Sequence, residues 1–253
     1  MKKMIVILFA TFVSQVFAQN TYLNQVLLLN EGCYDFAEME ILEPVTVGVY
    51  NPEDNSYNTI IEIPDARFAS DLIIHQDYFY VAADNKLLKY DLNTYELLYA
   101  QDVQGVRNIA IYNDYLFVSK GDSDPVTFGP VFFDSYLDVF SSEDLSYLFN
   151  FNTQNGPEWS TENLLINNDK LYVTINNAYE WGNYKGIIGV VDLVSMNYIE
   201  EIDLGEEGKN PINLLYKDDL LYTVNNKNWD GSSVSIVNPI DAGIQTVDLS
   251  NVS

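Results

Sequence analysis

The sequence predicts an all-β fold, a β-propeller of four-stranded antiparallel blades. Three observations carry that expectation: a hairpin that recurs four times, a second hairpin behind each copy, and no long helical periodicity in 253 residues. The recurring hairpin reads Asp71-Leu-Ile-Ile-His-Gln-Asp77-Tyr-Phe-Tyr-Val81, then Asn108-Ile-Ala-Ile-Tyr-Asn-Asp114-Tyr-Leu-Phe-Val118. It returns as Asn163-Leu-Leu-Ile-Asn-Asn-Asp169-Lys-Leu-Tyr-Val173 and Asn213-Leu-Leu-Tyr-Lys-Asp-Asp219-Leu-Leu-Tyr-Thr223. Each copy is an apolar run, a polar turn closed by Asp and a second apolar run, the pattern of a tight β-hairpin.

The elements follow in order. Val45–Tyr50, the turn Asn51-Pro52-Glu53-Asp54 and Thr59–Ile63 form an incomplete unit at the front. Behind the four hairpins come paired strands at Leu87–Tyr90 with Tyr95–Gln101, Leu137–Phe140 with Tyr147–Phe151, Ile187–Val191 with Tyr198–Ile202, and Ser233–Val237 with Gln245–Leu249. The marker aspartates 77, 114, 169 and 219 are 37, 55 and 50 residues apart. Four strands in a unit of roughly 40–50 residues match a propeller blade, and about four to five blades are present.

Met1–Phe17 carries Lys2-Lys3, an apolar run from Met4 to Phe17 and then Ala18, the order of a secretory signal peptide. The run is shorter than the roughly 20 residues needed to span a bilayer. The expected organisation is a signal peptide over 1–18 and a propeller domain over 19–253. The product is then exported, to the periplasm, the cell surface or the medium, with no membrane insertion after cleavage. Cys33 is the lone cysteine, so no internal disulfide forms and stability must come from packing. Abundant aromatics, 19 Tyr and 13 Phe among them, suit half-buried pleated surfaces. The net charge of −25 becomes −27 once Lys2 and Lys3 leave. Such a surface repels nucleic acid and anionic lipid.

The hairpins of the Asn-Asp-Lys-Leu-Tyr-Val type at 168–173, and third strands such as Val191-Asp192-Leu193, resemble the YVTN/YncE-like propellers of bacterial exported proteins. The resemblance runs from about Val26 to Leu249. Leu29-Asn30-Glu31-Gly32 is similar to the opening of a branch that includes surface cobamide-binding propeller lipoproteins. It implies a small-molecule, cobamide-like ligand. Relatives mostly have seven blades, so the resemblance makes this chain a fragment of a seven-bladed propeller. No lipoprotein Cys follows Ala18, a departure from the tethered branch.

Strand alternation sorts the loops. The tight Asp turns fall on one face, and the long loops with the links between units fall on the other. The long-loop face carries 33–45, 121–136, 176–186 and 225–232 and is rich in aromatics. Loops on a rigid scaffold are where ligands bind. The candidate ligand-binding residues are Trp159, Tyr179, Trp181, Tyr184 and Trp229, with Trp181 foremost. Asp71, Asn108, Asn163 and Asn213, each six residues before its marker aspartate, would ring the axis, joined by Arg107 and Glu162. Short polar side chains there also suit capping of strand-end backbone.

Catalytic constellations are poor. His75 is the lone histidine, which removes His-dependent triads and multi-histidine metal sites. Asp122-Ser123-Asp124 resembles part of a calcium loop but lacks its spaced ligands. Cys33 is expected to pack. No cofactor is expected, and the expected function is non-catalytic capture of a small molecule, or of a surface partner protein. The competing readings are a lactonase-like or quinoprotein-like enzyme and a structural or protein-interaction module.

Overall fold

The computed structural model describes residues 25–227 and 231–249, so the expected signal peptide and Trp229 lie outside the described residues. Sheet I comprises β1 (Val26–Asn30), β4 (Val45–Asn51) and β5 (Ser56–Ile63), with a small hairpin, β2 (Cys33–Asp35) and β3 (Glu40–Glu43), inserted after β1. Sheet II holds β6 (Ala69–His75), β7 (Tyr78–Ala83), β8 (Lys86–Asp91) and β9 (Leu97–Asp102). Sheet III holds β10 (Val106–Tyr112), β11 (Tyr115–Lys120), β12 (Ser135–Ser141) and β13 (Tyr147–Asn152). Sheet IV holds β14 (Thr161–Asn167), β15 (Lys170–Ile175), β16 (Ile187–Asp192) and β17 (Asn197–Asp203). Sheet V holds β18 (Leu215–Lys217), β19 (Leu220–Asn226), β20 (Ser232–Val237) and β21 (Ile244–Asp248). Sheets II to V are antiparallel meanders of four sequential strands, as the repeat predicts.

The turn chemistry explains the pairing. The first hairpin of each of these sheets turns on two residues, with left-handed backbone at Gln76, Asn113, Asn168, Asp169, Asp218 and Asp219. Asn and Asp tolerate that conformation, which matches the twist of the flanking strands. The second hairpin turns on a side chain that accepts the amide two residues on, as Asp91 does from Asn93 (2.8 Å), Asp192 from Val194 (3.1 Å) and Asn238 from Ile240 (3.0 Å).

Each sheet packs on the next through its second and third strands. Phe79, Val81 and Ala83 of β7 join Val45, Val47 and Ile63 in a core between sheets I and II. The alternate residues Tyr80 and Ala82 face the other way, onto Val106, Ile109, Leu116 and Val118 of sheet III. Phe117 and Val139 continue into sheet IV, and Tyr172, Ile188 and Val190 into sheet V. Burial on both faces is why these middle strands read as continuous apolar runs instead of alternating ones. The first strands of sheets II to V lie side by side, β10 against both β6 and β14, and β14 against β18, and are called the inner strands below.

Two details depart from expectation. Residues 33–45 contain the β2–β3 hairpin, whose turn is held by Asp35 Oδ1 accepting the Ala37 and Glu38 amides at 2.8 and 3.2 Å. Cys33 does not pack: it starts that hairpin at the surface and is exposed, because the insertion has no sheet behind it to bury the thiol.

Candidate functional site

The inner strands carry a repeated irregularity. β6, β10 and β14 each slip register at the strand-opening marker, Asp71, Asn108 or Asn163: between Ala69 and Asp71, Val106 and Ile109, and Thr161 and Leu164. Such bulges re-aim side chains. Asp71 Oδ2 accepts the Ile109 amide of the next sheet at 2.9 Å, and Asn163 Oδ1 accepts the Leu214 amide at 3.1 Å. Asn108 bonds the Asp71 carboxylate through its side chain. Asn213 Oδ1 accepts from Val224 of its own sheet at 3.3 Å. Asp71 and Asn163 therefore tie their strands to the backbone of the next sheet, while Asn213 bonds within its own.

Immediately before the markers stand Arg107 and Glu162, equivalent positions on neighbouring sheets. Their side chains form a partly buried ion pair at 2.7 Å. The Tyr179 ring lies beside it, with the Arg107 guanidinium 5.5 Å from the ring centroid. Burial pushes the Tyr179 hydroxyl up to about 12, against the pull of Arg107. Burial opposes the charge on Arg107, yet Glu162 and Tyr179 hold its pKa above the usual range. Asn176, at the end of β15, adds a bond to Glu162 at 3.3 Å. Gly121 makes room for this arrangement: a Cβ there would sit 2.8 Å from Ser160 Cβ and 2.9 Å from the Tyr179 ring.

Sequence reasoning missed a second cluster built on the other arginine. Arg67 grips Asp84 through Nε (2.8 Å) and Nη2 (2.5 Å), and Asp122 lies 3.8 Å away. Burial raises the Asp122 carboxyl above its ordinary value. Asp124 is occupied in its own turn, accepting the Val126 and Thr127 amides. The Asp-Ser-Asp triplet thus turns its carboxylates apart, and among the described residues no group of three potential ligands could hold a metal ion. The scarcity of arginine was the available signal, since Arg67 and Arg107 are the two in the chain.

The remaining aromatics gather elsewhere on the long-loop face. Loop 176–186 is ordered by Asn177, left-handed in backbone, whose Nδ2 donates to Glu180 Oε2 (3.0 Å) and the Asn183 carbonyl (3.1 Å). The loop is tied down by the Lys185 amide to Asn176 O (2.9 Å) and the Asn210 amide to Lys185 O (2.7 Å). At Gly186 the link 204–210 comes so close that a Cβ would sit 2.5 Å from the Gly208 carbonyl oxygen. Between loop and link lies a cavity of about 580 Å³ lined by Trp159, Tyr184, Lys185, Asp203, Glu206 and Lys209. A second hollow of about 330 Å³ shares Tyr184, Glu206 and Lys209 and extends to Lys227.

The chemistry of this cleft differs from the rest of an acidic surface. Lys185 Nζ lies 4.4 Å from the centre of the Trp159 ring. Lys209 pairs with Glu206 and Lys227 with Glu207, so cations and carboxylates alternate along the rim. The Tyr184 hydroxyl is buried without a hydrogen-bond partner. Trp181 does not line either cavity; it is 69% exposed and edge-on to Tyr184 at 6.4 Å. The structure therefore brings Trp159, Trp181 and Tyr184 together, while Tyr179 turns inward to Arg107. A wider groove of about 740 Å³ between the outer strands β13 and β17 shares Trp159 but opens as a wedge lined by Glu158, Glu200 and Glu201. A comparison with protein-family models finds no match, and a comparison with curated proteins likewise finds none.

Proposed function

We propose that this chain is an exported, propeller-type binding protein that captures a small molecule on its long-loop face. The observation that carries the reading is the cleft beside loop 176–186, where Trp159, Tyr184 and Lys185 line a cavity and the exposed Trp181 packs edge-on against Tyr184. Aromatic plates with a few polar groups are the usual furniture of a small-molecule site. A ring-bearing ligand would stack on Trp181 while an acidic group meets Lys185, which is stacked on Trp159 and has no carboxylate within ion-pair distance among the described residues.

The propeller reading is supported by the side-by-side inner strands and by the four successive sheet-on-sheet cores. The YncE-like repeat pattern and the Leu29-Asn30-Glu31-Gly32 segment make corrinoids the first compounds to test. The screen is tryptophan fluorescence against corrinoids, haem-like compounds and acidic glycans. Saturable quenching should appear with one of these classes. Trp181→Ala should weaken capture by roughly 1–3 kcal/mol, the loss of an aromatic anchor, and leave the melting temperature unchanged. A variant that loses stability but binds nothing differently would make the loop mere cover and end this reading.

A further inference from the structure

In sheets II to V the first strand is the inner one, but β1 is not its counterpart. β1 connects to β4 through the long excursion 31–44, as β11 and β15 connect to their third strands through 121–134 and 176–186, whereas β7 turns into β8 on Asp84 and Asn85 alone. β4 turns into β5 on Asn51, whose Oδ1 accepts the Glu53 amide at 2.9 Å, the device of every later third-to-fourth turn based on Asp or Asn. β1 also touches β6, just as the second strands β7 and β11 touch the next inner strands β10 and β14. β1 is therefore a second strand, and sheet I lacks an inner strand among the described residues.

Burial records a separate feature: β7, β11 and β15 lie between two sheets and their last five residues are all buried, whereas Val26 and Leu28, on the face of β1 opposite Leu27 and Leu29, are exposed at 45% and 40%. Among the described residues no strand lies beside the edge of β1 turned away from β4, and that edge presents its backbone N–H and C=O groups. An edge of this kind is a template for strand addition.

We propose that β1 is a strand-addition site whose occupant is an extended segment with the chemistry of this chain's own inner strands. That chemistry is explicit in Asp71-Leu-Ile-Ile, Asn108-Ile-Ala-Ile and Asn163-Leu-Leu-Ile: one Asn or Asp, then three residues drawn from Leu, Ile and Ala. The existing junctions show what each part does. The backbone pairs with the second strand, and the Asn or Asp oxygen of one inner strand accepts an amide of the next, as Asp71 does from Ile109 and Asn163 from Leu214. On sheet I the same residue would reach the amide of Leu72, the position on β6 equivalent to Ile109 and Leu214. The occupant is thus selected by register, by one carboxamide and by apolar side chains, and needs no charge.

The test adds a fluorescein-labelled peptide copying Thr161–Asn168 to the full chain, reading anisotropy and amide hydrogen exchange. Saturable binding is expected, with exchange across Val26–Asn30 slowed at least tenfold, and both effects abolished when the peptide carries Leu165→Pro, which removes a ladder donor. Equal slowing at the outer strand β21 would mean indiscriminate edge adhesion and would overturn the proposal. So would a β1 already protected in the free protein alongside a dimer in sedimentation velocity, because the occupant would then be a second copy. An unchanged β1 with the peptide in excess also refutes it.

Discussion

Asp71→Asn should stabilise the protein at neutral pH. Asp71 is the one strand-opening marker that is acidic, where the three other repeats carry Asn108, Asn163 and Asn213. Its oxygen accepts the Ile109 amide, a task an Asn oxygen performs at the Asn163–Leu214 junction. Burial raises the Asp71 carboxyl above its ordinary value of 3.8, outweighing the bonds from Ile109 and Asn108. A carboxyl raised on folding binds its proton more tightly in the folded state. It therefore weakens stability as pH climbs from the unfolded value through the folded one, and the weakening is complete at neutral pH. Asparagine keeps the acceptor and removes the charge, while Asn108 turns its amide to present oxygen. The gain should be about 0.5–2 kcal/mol, the range of substitutions toward a repeat consensus. In a domain of this size each kcal/mol moves the melting temperature by about 2–4 °C. Urea denaturation at about pH 7 and about pH 3.5 measures the difference between variant and wild type, in which the other carboxylates cancel. The gap should be widest at neutral pH and shrink in acid. A variant less stable at pH 7, or a gap independent of pH, would refute the reasoning.

Three further outcomes concern the Arg107 cluster and one of the tight Asp turns. Gly121→Ala drives a methyl against Ser160 and the Tyr179 ring and should cost about 1–3 kcal/mol, the usual penalty of overpacking, measured by thermal melting. Glu162→Gln leaves the Arg107 guanidinium without its carboxylate and should cost about 2–4 kcal/mol, below the value for a fully buried pair because both side chains retain some solvent. The double variant Arg107→Met with Glu162→Gln should recover part of that loss, and a cycle showing no coupling between the two positions would remove the ion pair from the account. Asp169→Ala removes the acceptor of the Tyr112 hydroxyl (2.7 Å) and a residue suited to left-handed backbone, and should lower stability by on the order of 1 kcal/mol with ligand capture intact.

The strand inventory was legible because its causes are local. Two-residue Asn and Asp turns, side chains that cap the next turn, and apolar runs of strand length are all properties of short windows, and the expected strands of sheets II to V match the observed ones to within a few residues. The equal offsets of Asp71, Asn108, Asn163 and Asn213 from their turns marked a special position, and the capping reading available for it describes the bonds that three of them accept. The sequence did not disclose that β1 is a second strand, since Val26–Asn30 has the same apolar texture as an inner one and only its pairing with β4 and contact with β6 assign it. Nor could it divide the aromatics. Tyr179 and Trp181 are two residues apart, yet one packs by Arg107 and the other faces solvent. That division rests on Gly121, which admits the Tyr179 ring, and on Gly186, which lets the link 204–210 close against the loop. Local sequence determines where the chain turns and which runs form strands. Which side chains meet across sheets depends on distances between segments 25 to 62 residues apart, which only the packed structure decides.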